Sequence, residues 1–137
     1  FHADPSRYNQ NFRVGLYVER NGTLVPLDAF DLATRRHDPF SSYNEYAERF
    51  RLDNADHPSQ AVRCVCEGRT LIVADCAAAP EFEFFHEGQR NYLRSMVAHP
   101  LPGFCSEGVI PVRAAILLDT NVAGFFREED RETIELL

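Results

Sequence analysis

Tyr92-Leu-Arg-Ser-Met-Val-Ala-His-Pro-Leu101, Val112-Arg-Ala-Ala-Ile-Leu-Leu-Asp-Thr120 and Asn121-Val-Ala-Gly-Phe-Phe-Arg-Glu-Glu-Asp130 follow one another in the last third of the chain, and their reading decides the fold. Val112 to Leu118 is apolar except for Arg113. It is far too short to span a membrane and rich in residues that fit a pleated sheet, so it predicts a well-buried strand. Asp119-Thr-Asn-Val-Ala-Gly124 is turn chemistry. Glu128, Glu129 and Asp130 place negative charge where the first N–H groups of a helix are unpaired, which predicts a helix start there. The order is strand, connection, buried strand, tight turn, helix.

Upstream of this block, Phe12-Arg-Val-Gly-Leu-Tyr-Val18 and Thr23-Leu-Val-Pro-Leu27 are apolar runs separated by Glu19-Arg-Asn-Gly22. Asn21 and Gly22 both tolerate the positive φ of a type I′ turn, so the two runs predict a β-hairpin. Pro26 donates no hydrogen bond and suits a sheet edge. Ser41 to Glu48 reads as a short Ser-capped helix, and Glu48 to Asp53 alternates like a short strand. His57 to Gly68 predicts a helix with Pro58 or Ser59 at its start and Gly68 at its end. Thr70 to Asp75 is a buried strand, and Cys76 to Arg90 is a long connection carrying Phe82, Phe84 and Phe85.

The chain has 137 residues and reads as one domain, 45% hydrophobic with 11 Phe and 26% charged residues, a globular composition. Residues 1–11 form a polar lead-in. Net charge is −7, which argues against a nucleic-acid surface and against attraction to an anionic membrane. No apolar run reaches transmembrane length. Four unevenly spaced cysteines do not make a disulfide framework, so reduced thiols in a cytoplasmic protein are expected. Cys64 and Cys66 lie two apart on the predicted helix and point to different faces, so they cannot chelate together. Cys66 is expected to be buried beside Val62, with Cys64 elsewhere.

The C-terminal pattern resembles that of a GAF domain, where a strand ending in Pro-Leu precedes a strand ending near an acidic residue and then Phe-x-x-x-Asp. Arg94 to Leu101, Val112 to Asp119 and Phe126-Arg-Glu-Glu-Asp130 stand in those places, with Ala114 where the family often has Gly. Gly68 and Asp75 extend the match upstream. The resemblance implies an α+β fold with a central antiparallel sheet of about five to six strands. Terminal helices would lie on one face, with short helices and the long connection over a pocket on the other. The segment 127–137 is expected to begin a C-terminal helix belonging to a longer protein, since the chain opens at Phe1 and stops in a helical pattern. A PAS-like fold is the poorer alternative.

Pocket candidates under that resemblance are Asp75, Phe84, Phe85, His86, Tyr92, Arg94 and His99. Arg94 is a fork-shaped donor for an anion, or else one half of a surface ion pair. His99, between Ala98 and Pro100, reads more simply as a packed strand histidine than as a ligand. Phe82, Phe84 and Phe85 are either a pocket wall or a lid over the core. Bilin-carrying members place a Cys-His pair where this chain has Phe85-His86, so covalent bilin is not expected. Cyclic-nucleotide binders carry Asn-Lys where this chain has Asp119-Thr120, which disfavours that ligand. GAF-fold methionine sulfoxide reductases need clustered cysteines before the Pro-Leu strand, and residues 77–99 hold none.

The function expected from this resemblance is regulatory and not enzymatic, with no metal and no catalytic residue. It is a ligand-sensing domain of a bacterial signal-transduction protein, such as a histidine kinase of a two-component system or a cyclic-dinucleotide enzyme. The partners expected are an unidentified small molecule, a second copy paired through terminal helices, and an output domain in the same chain. The alternatives are a ligand-free dimerisation element and a thiol-redox or metal-binding module.

Overall fold

A computed structural model describes residues 12–31, 36–37, 43, 45–103 and 112–136. The lead-in 1–11 and most of the helix expected over 41–48 lie outside the described residues. Within them, β1 (Phe12–Arg20) and β2 (Thr23–Asp31) form the hairpin, turning through Asn21 at φ 53° and Gly22 at φ 80°. These left-handed angles are what the Asn-Gly pair supplies at little steric cost. The register passes from Leu16 opposite Asp28 to Tyr17 opposite Pro26, leaving Leu27 as an extra residue on β2. A bulge beside a proline is the local solution to a missing ladder donor.

The remaining strands are β3 (Arg36–His37), β4 (Leu71–Val73), β5 (Ser95–Pro100) and β6 (Ala114–Thr120). They complete one sheet in the order β3-β2-β1-β6-β5-β4, and every pairing is antiparallel. β3 is a two-residue strip, so five strands carry the sheet. β6 lies between β1 and β5, which joins the first hairpin to the last third of the chain.

Helix α1 (Gln60–Glu67) starts at Ser59, whose hydroxyl accepts from the Val62 N–H, and ends at Gly68 in the left-handed conformation. Ala61, Val62 and Cys64 are its buried residues and pack with Leu24, Phe50, Leu71, Ala98 and Ala115. The expected cysteine assignment is reversed: Cys64 is buried and Cys66 exposed. A step of two residues is about 200° around a helix, so the face that buries Ala61 takes Cys64, three positions on, and turns Cys66 outward.

The opposite face of the sheet is covered by the C-terminal segment. Phe125, Phe126 and Ile134 pack against Val97 there, with Ile72 and Leu118 alongside. A 3-10 turn (Glu128–Asp130) leads into α2 (Arg131–Glu135), and Asp130 accepts the Arg127 N–H at 2.9 Å. The Phe-x-x-x-Asp pattern thus pairs a core plug with a helix-start acceptor. Buried Ser95 joins this segment to the sheet, its hydroxyl accepting from the Phe126 N–H at 3.0 Å and donating to the Val73 carbonyl at 3.2 Å.

One predicted strand is absent. Over 48–53 the chain makes a 3-10 turn (Ala47–Phe50) and a single bridge from Arg51 to Thr23. Alternation alone cannot pair a strand. Burial of Phe50 among Tyr17, Tyr43 and Phe85 overrides it. No helix among the described residues is long and apolar enough to cross a membrane.

Candidate functional site

A cavity of about 400 Å³ lies on the α1 face of the sheet. Its floor is built by strand alternation: Arg13, Gly15 and Tyr17 of β1 stand on one face, beside Leu117 and Asp119 of β6 and Met96 of β5. Gly15 makes room for Tyr17, because a Cβ there would come within 2.9 Å of the Tyr17 ring. Tyr17 stacks on Phe50 with centroids 5.2 Å apart, and Phe85 meets Phe50 edge-on at 5.9 Å. Tyr43 donates its hydroxyl to the Leu24 carbonyl at 3.1 Å, and burial raises its pKa.

Charge surrounds this aromatic wall. The Arg13 guanidinium donates to Asp119 at 2.9 Å and lies 4.9 Å over the Tyr92 ring. Arg49 lies 4.3 Å over the Phe85 ring, donates through Nε to the His57 carbonyl at 2.8 Å, and reaches Glu83 at 3.5 Å. Glu83 also holds the His57 imidazole at 3.1 Å. Buried Gln89 accepts the Phe85 N–H at 2.6 Å, which fixes the turn that aims Phe85 inward. Asp56, Arg63 and Glu81 complete the polar rim.

Of the seven residues singled out from the sequence, Phe85 stands in this cavity wall. Phe82 joins it there, whereas Phe84 packs edge-on against Phe82 at 4.9 Å, under Arg90. His86 lies between Tyr46 and Tyr92, with centroids at 6.1 and 6.5 Å. Tyr92 touches the site through Arg13. Arg94 and Asp75 face each other at 3.8 Å, and the Arg94 Nε is buried without a hydrogen-bond partner. His99 belongs to the other face of the sheet. It hydrogen-bonds Thr70 at 2.7 Å, and Arg131 of α2 donates to the Thr70 carbonyl at 2.6 Å.

Burial lowers the His99 pKa below its ordinary 6.5, and nearby Glu135 opposes that shift. The folded chain therefore holds fewer protons at this site than the unfolded chain. Its contribution to stability is complete above the unfolded pKa and is lost as pH falls from there through the folded value. Between pH 6.5 and about 5, the urea midpoint of wild type is expected to fall more steeply than that of His99→Gln. Parallel slopes would remove His99 from the acid response.

Arg13, Tyr17, Arg49 and Phe50 were not singled out from the sequence. The alternation of β1 carried a signal for Arg13 and Tyr17. Nothing local marks Arg49, whose position depends on contact between segments far apart in the chain. The described cysteines lie away from the cavity wall: Cys64 and Cys76 are buried, and Cys66 is exposed on α1. Among the described residues, no group of three or more His, Cys, Asp or Glu could hold a metal ion.

This sheet, with helices on both faces and a cavity under one of them, is an α+β fold of the GAF-like kind. The X-ray structure of free methionine-R-sulfoxide reductase from Neisseria meningitidis in complex with its substrate is similar to it, with a TM-score of 0.54 and 18% identity. The match covers 90% of this chain and 60% of that one. No family model matches the chain, and no curated protein matches it.

These findings correct the functional reading of the sequence. The chain was expected to be a GAF domain proper, a regulatory and non-enzymatic sensor of a two-component or histidine-kinase system. The similar solved structure is instead that of a reductase with a GAF-like fold, and no family model supports the sensor assignment. The resemblance had tracked strand ends and the Phe-x-x-x-Asp turn, features that shape the sheet and do not specify signalling.

Proposed function

We propose that this chain is a redox enzyme acting on a free, amino-acid-sized molecule held in the cavity, an oxidised thioether such as methionine sulfoxide. The observation that carries the reading is the cavity itself, on a fold shared with a reductase. The Tyr17–Phe50–Phe85 wall suits the apolar part of such a molecule. Arg49 and Arg63 suit its carboxylate, and Asp56 and Glu81 its ammonium group.

Reduction of a sulfoxide consumes two thiols: thioether, disulfide and water are formed, the sulfoxide oxygen leaving in the water. Cys66 is the exposed thiol among the described residues, and Cys105 lies outside them. Because Cys66 lies away from the cavity wall, Cys105 supplies the attacking sulfur in this reading, and Cys66 or an external thiol supplies the second. An external dithiol restores the reduced pair, which also places the protein in a reducing, cytoplasmic compartment. Pairing of two copies through the C-terminal helix belongs to the same proposal, since Leu136 is 86% exposed there.

The test is to incubate the chain with each epimer of free methionine sulfoxide and excess dithiothreitol, and to quantify methionine. Formation above the dithiothreitol background is expected, falling to that background in Cys105→Ser and in the Cys66→Ser/Cys105→Ser double variant. No methionine from either epimer would overturn the reading. Undiminished formation in the double variant would take the chemistry away from cysteine.

A further inference from the structure

His99 is a buried titratable group that plays no part in the cavity. It is 8% exposed, on the opposite face of the sheet, and its Nδ1 lies 2.7 Å from the hydroxyl of Thr70, itself 1% exposed. Thr70 holds the C-terminal helix as well, because Arg131 Nη1 donates to its carbonyl at 2.6 Å. One residue, in the turn before β4, thus ties both the imidazole and α2 to the sheet. Ile134 of α2 is fully buried in the layer that contains Val97, two positions before His99 on the same face of β5. Departure of α2 would open this layer to water.

We infer that this junction is an acid-sensitive latch: when His99 takes up a proton, α2 leaves the sheet while the rest of the fold stays closed. A neutral imidazole bonded to Thr70 needs no counter-charge. An imidazolium donates from both nitrogens and must be solvated or paired. The charged groups around it, among the described residues, pair it poorly. From α2, Glu135 favours the charged form, but it is half exposed and shared with Arg131 at 3.5 Å. Glu128, in the turn before α2, is bonded to Arg131. Arg69, beside Thr70, adds positive charge and reaches Glu67 at 3.7 Å. β6 presents uncharged Ile116 opposite His99. Burial outweighs Glu135, so the docked His99 has its pKa below the ordinary 6.5. With α2 released, the imidazole regains water and titrates near its ordinary value, so the open form binds more protons. Its share therefore grows as pH falls below 6.5, by up to about tenfold per pH unit, until the docked form is protonated too.

Hydrogen exchange of the 137-residue chain, read by mass spectrometry on its peptides at pH 7.5 and 5.5, tests the latch. Protection is taken relative to the intrinsic exchange rate at each pH, so that the chemistry of exchange cancels. In wild type the protection of 128–137 is expected to fall about threefold or more between the two values, while peptides over α1 and β6 keep theirs. His99→Gln keeps a polar partner for Thr70 but takes no proton, so its protection should not change with pH. Glu135→Gln removes the carboxylate that favours a charged, docked His99, and should enlarge the fall. Urea unfolding at pH 7.5 shows whether each variant is folded. Glu135→Gln, altered at an exposed position, carries the comparison if His99→Gln is not. An unchanged wild type, an equal fall in His99→Gln, a fall no larger in Glu135→Gln, or loss of protection over the whole chain in step would overturn the latch. The cavity chemistry is tested separately by the methionine assay, on the other face of the sheet.

Discussion

Phe126→Ala is expected to lower stability by about 3–5 kcal/mol, the range for removing a buried aromatic ring. The residue is 2% exposed and stands between its neighbour Phe125, edge-on at 5.0 Å, and the Val97–Ile134 layer. The space cannot collapse easily. The backbone leading into it is tied twice, by the Phe126 N–H to buried Ser95 and by the Gly124 N–H to the Ala74 carbonyl at 2.6 Å. The ring's loss therefore leaves a void on the face away from the cavity. In urea the midpoint should fall with little change in slope, and the thermal midpoint should drop by roughly 10–20 °C. A shift of only a few degrees would mean that the C-terminal segment is not part of the cooperative core. Ligand binding measured well below the new midpoint should persist, because the cavity lies on the opposite side of the sheet.

The second large effect is chemical. Burial pushes both the Cys64 and the Cys76 thiols up to about 12, from 9.0 for the unperturbed group. Three units leave roughly a thousandfold less thiolate than in a free cysteine, before any steric protection is counted. Iodoacetamide at pH 8 should accordingly modify exposed Cys66 in the native chain and leave Cys64 and Cys76 untouched until urea is added. Peptide mass mapping against time reads all of these rates at once. Labelling of Cys76 as fast as Cys66 would show that its thiol is not buried. Protection of both core thiols confines any nucleophilic sulfur chemistry to Cys66 and Cys105, the pair that the methionine assay varies. For Cys64 the thiol proton is also engaged, donated to the Ala61 carbonyl at 3.2 Å.

Much of the scaffold was legible because its determinants are local. Asn21-Gly22 takes the positive φ angles that close the hairpin, Ser59 and Gly68 bound the helix between them, and the apolar runs 70–75, 94–101 and 112–119 become β4, β5 and β6 within a few residues. The site was much less legible. Histidines and a strand-start arginine drew attention because their chemistry is versatile, yet His99 is on the far face and Arg94 pairs with Asp75. The cysteines of α1 were assigned to the wrong faces for a related reason. Periodicity shows that Cys64 and Cys66 diverge, but which of them meets the sheet depends on how the whole helix is seated.

The sequence by itself determined the bounds of the hairpin, of α1 and of β4 to β6 to within a few residues, since turns, caps and apolar period act over that range. Its net charge of −7 set the expectation of a surface that does not attract nucleic acid. Only the tertiary structure decided that β6 enters between β1 and β5, bringing Arg13 against Asp119 across 106 positions of chain. It also decided that the predicted strand at 48–53 becomes a turn delivering Phe50 and Arg49 to a cavity roof. Such contacts arise from the packing of distant segments around a shared core. Their energy is a property of the assembled layers, and no local pattern in any one segment encodes it.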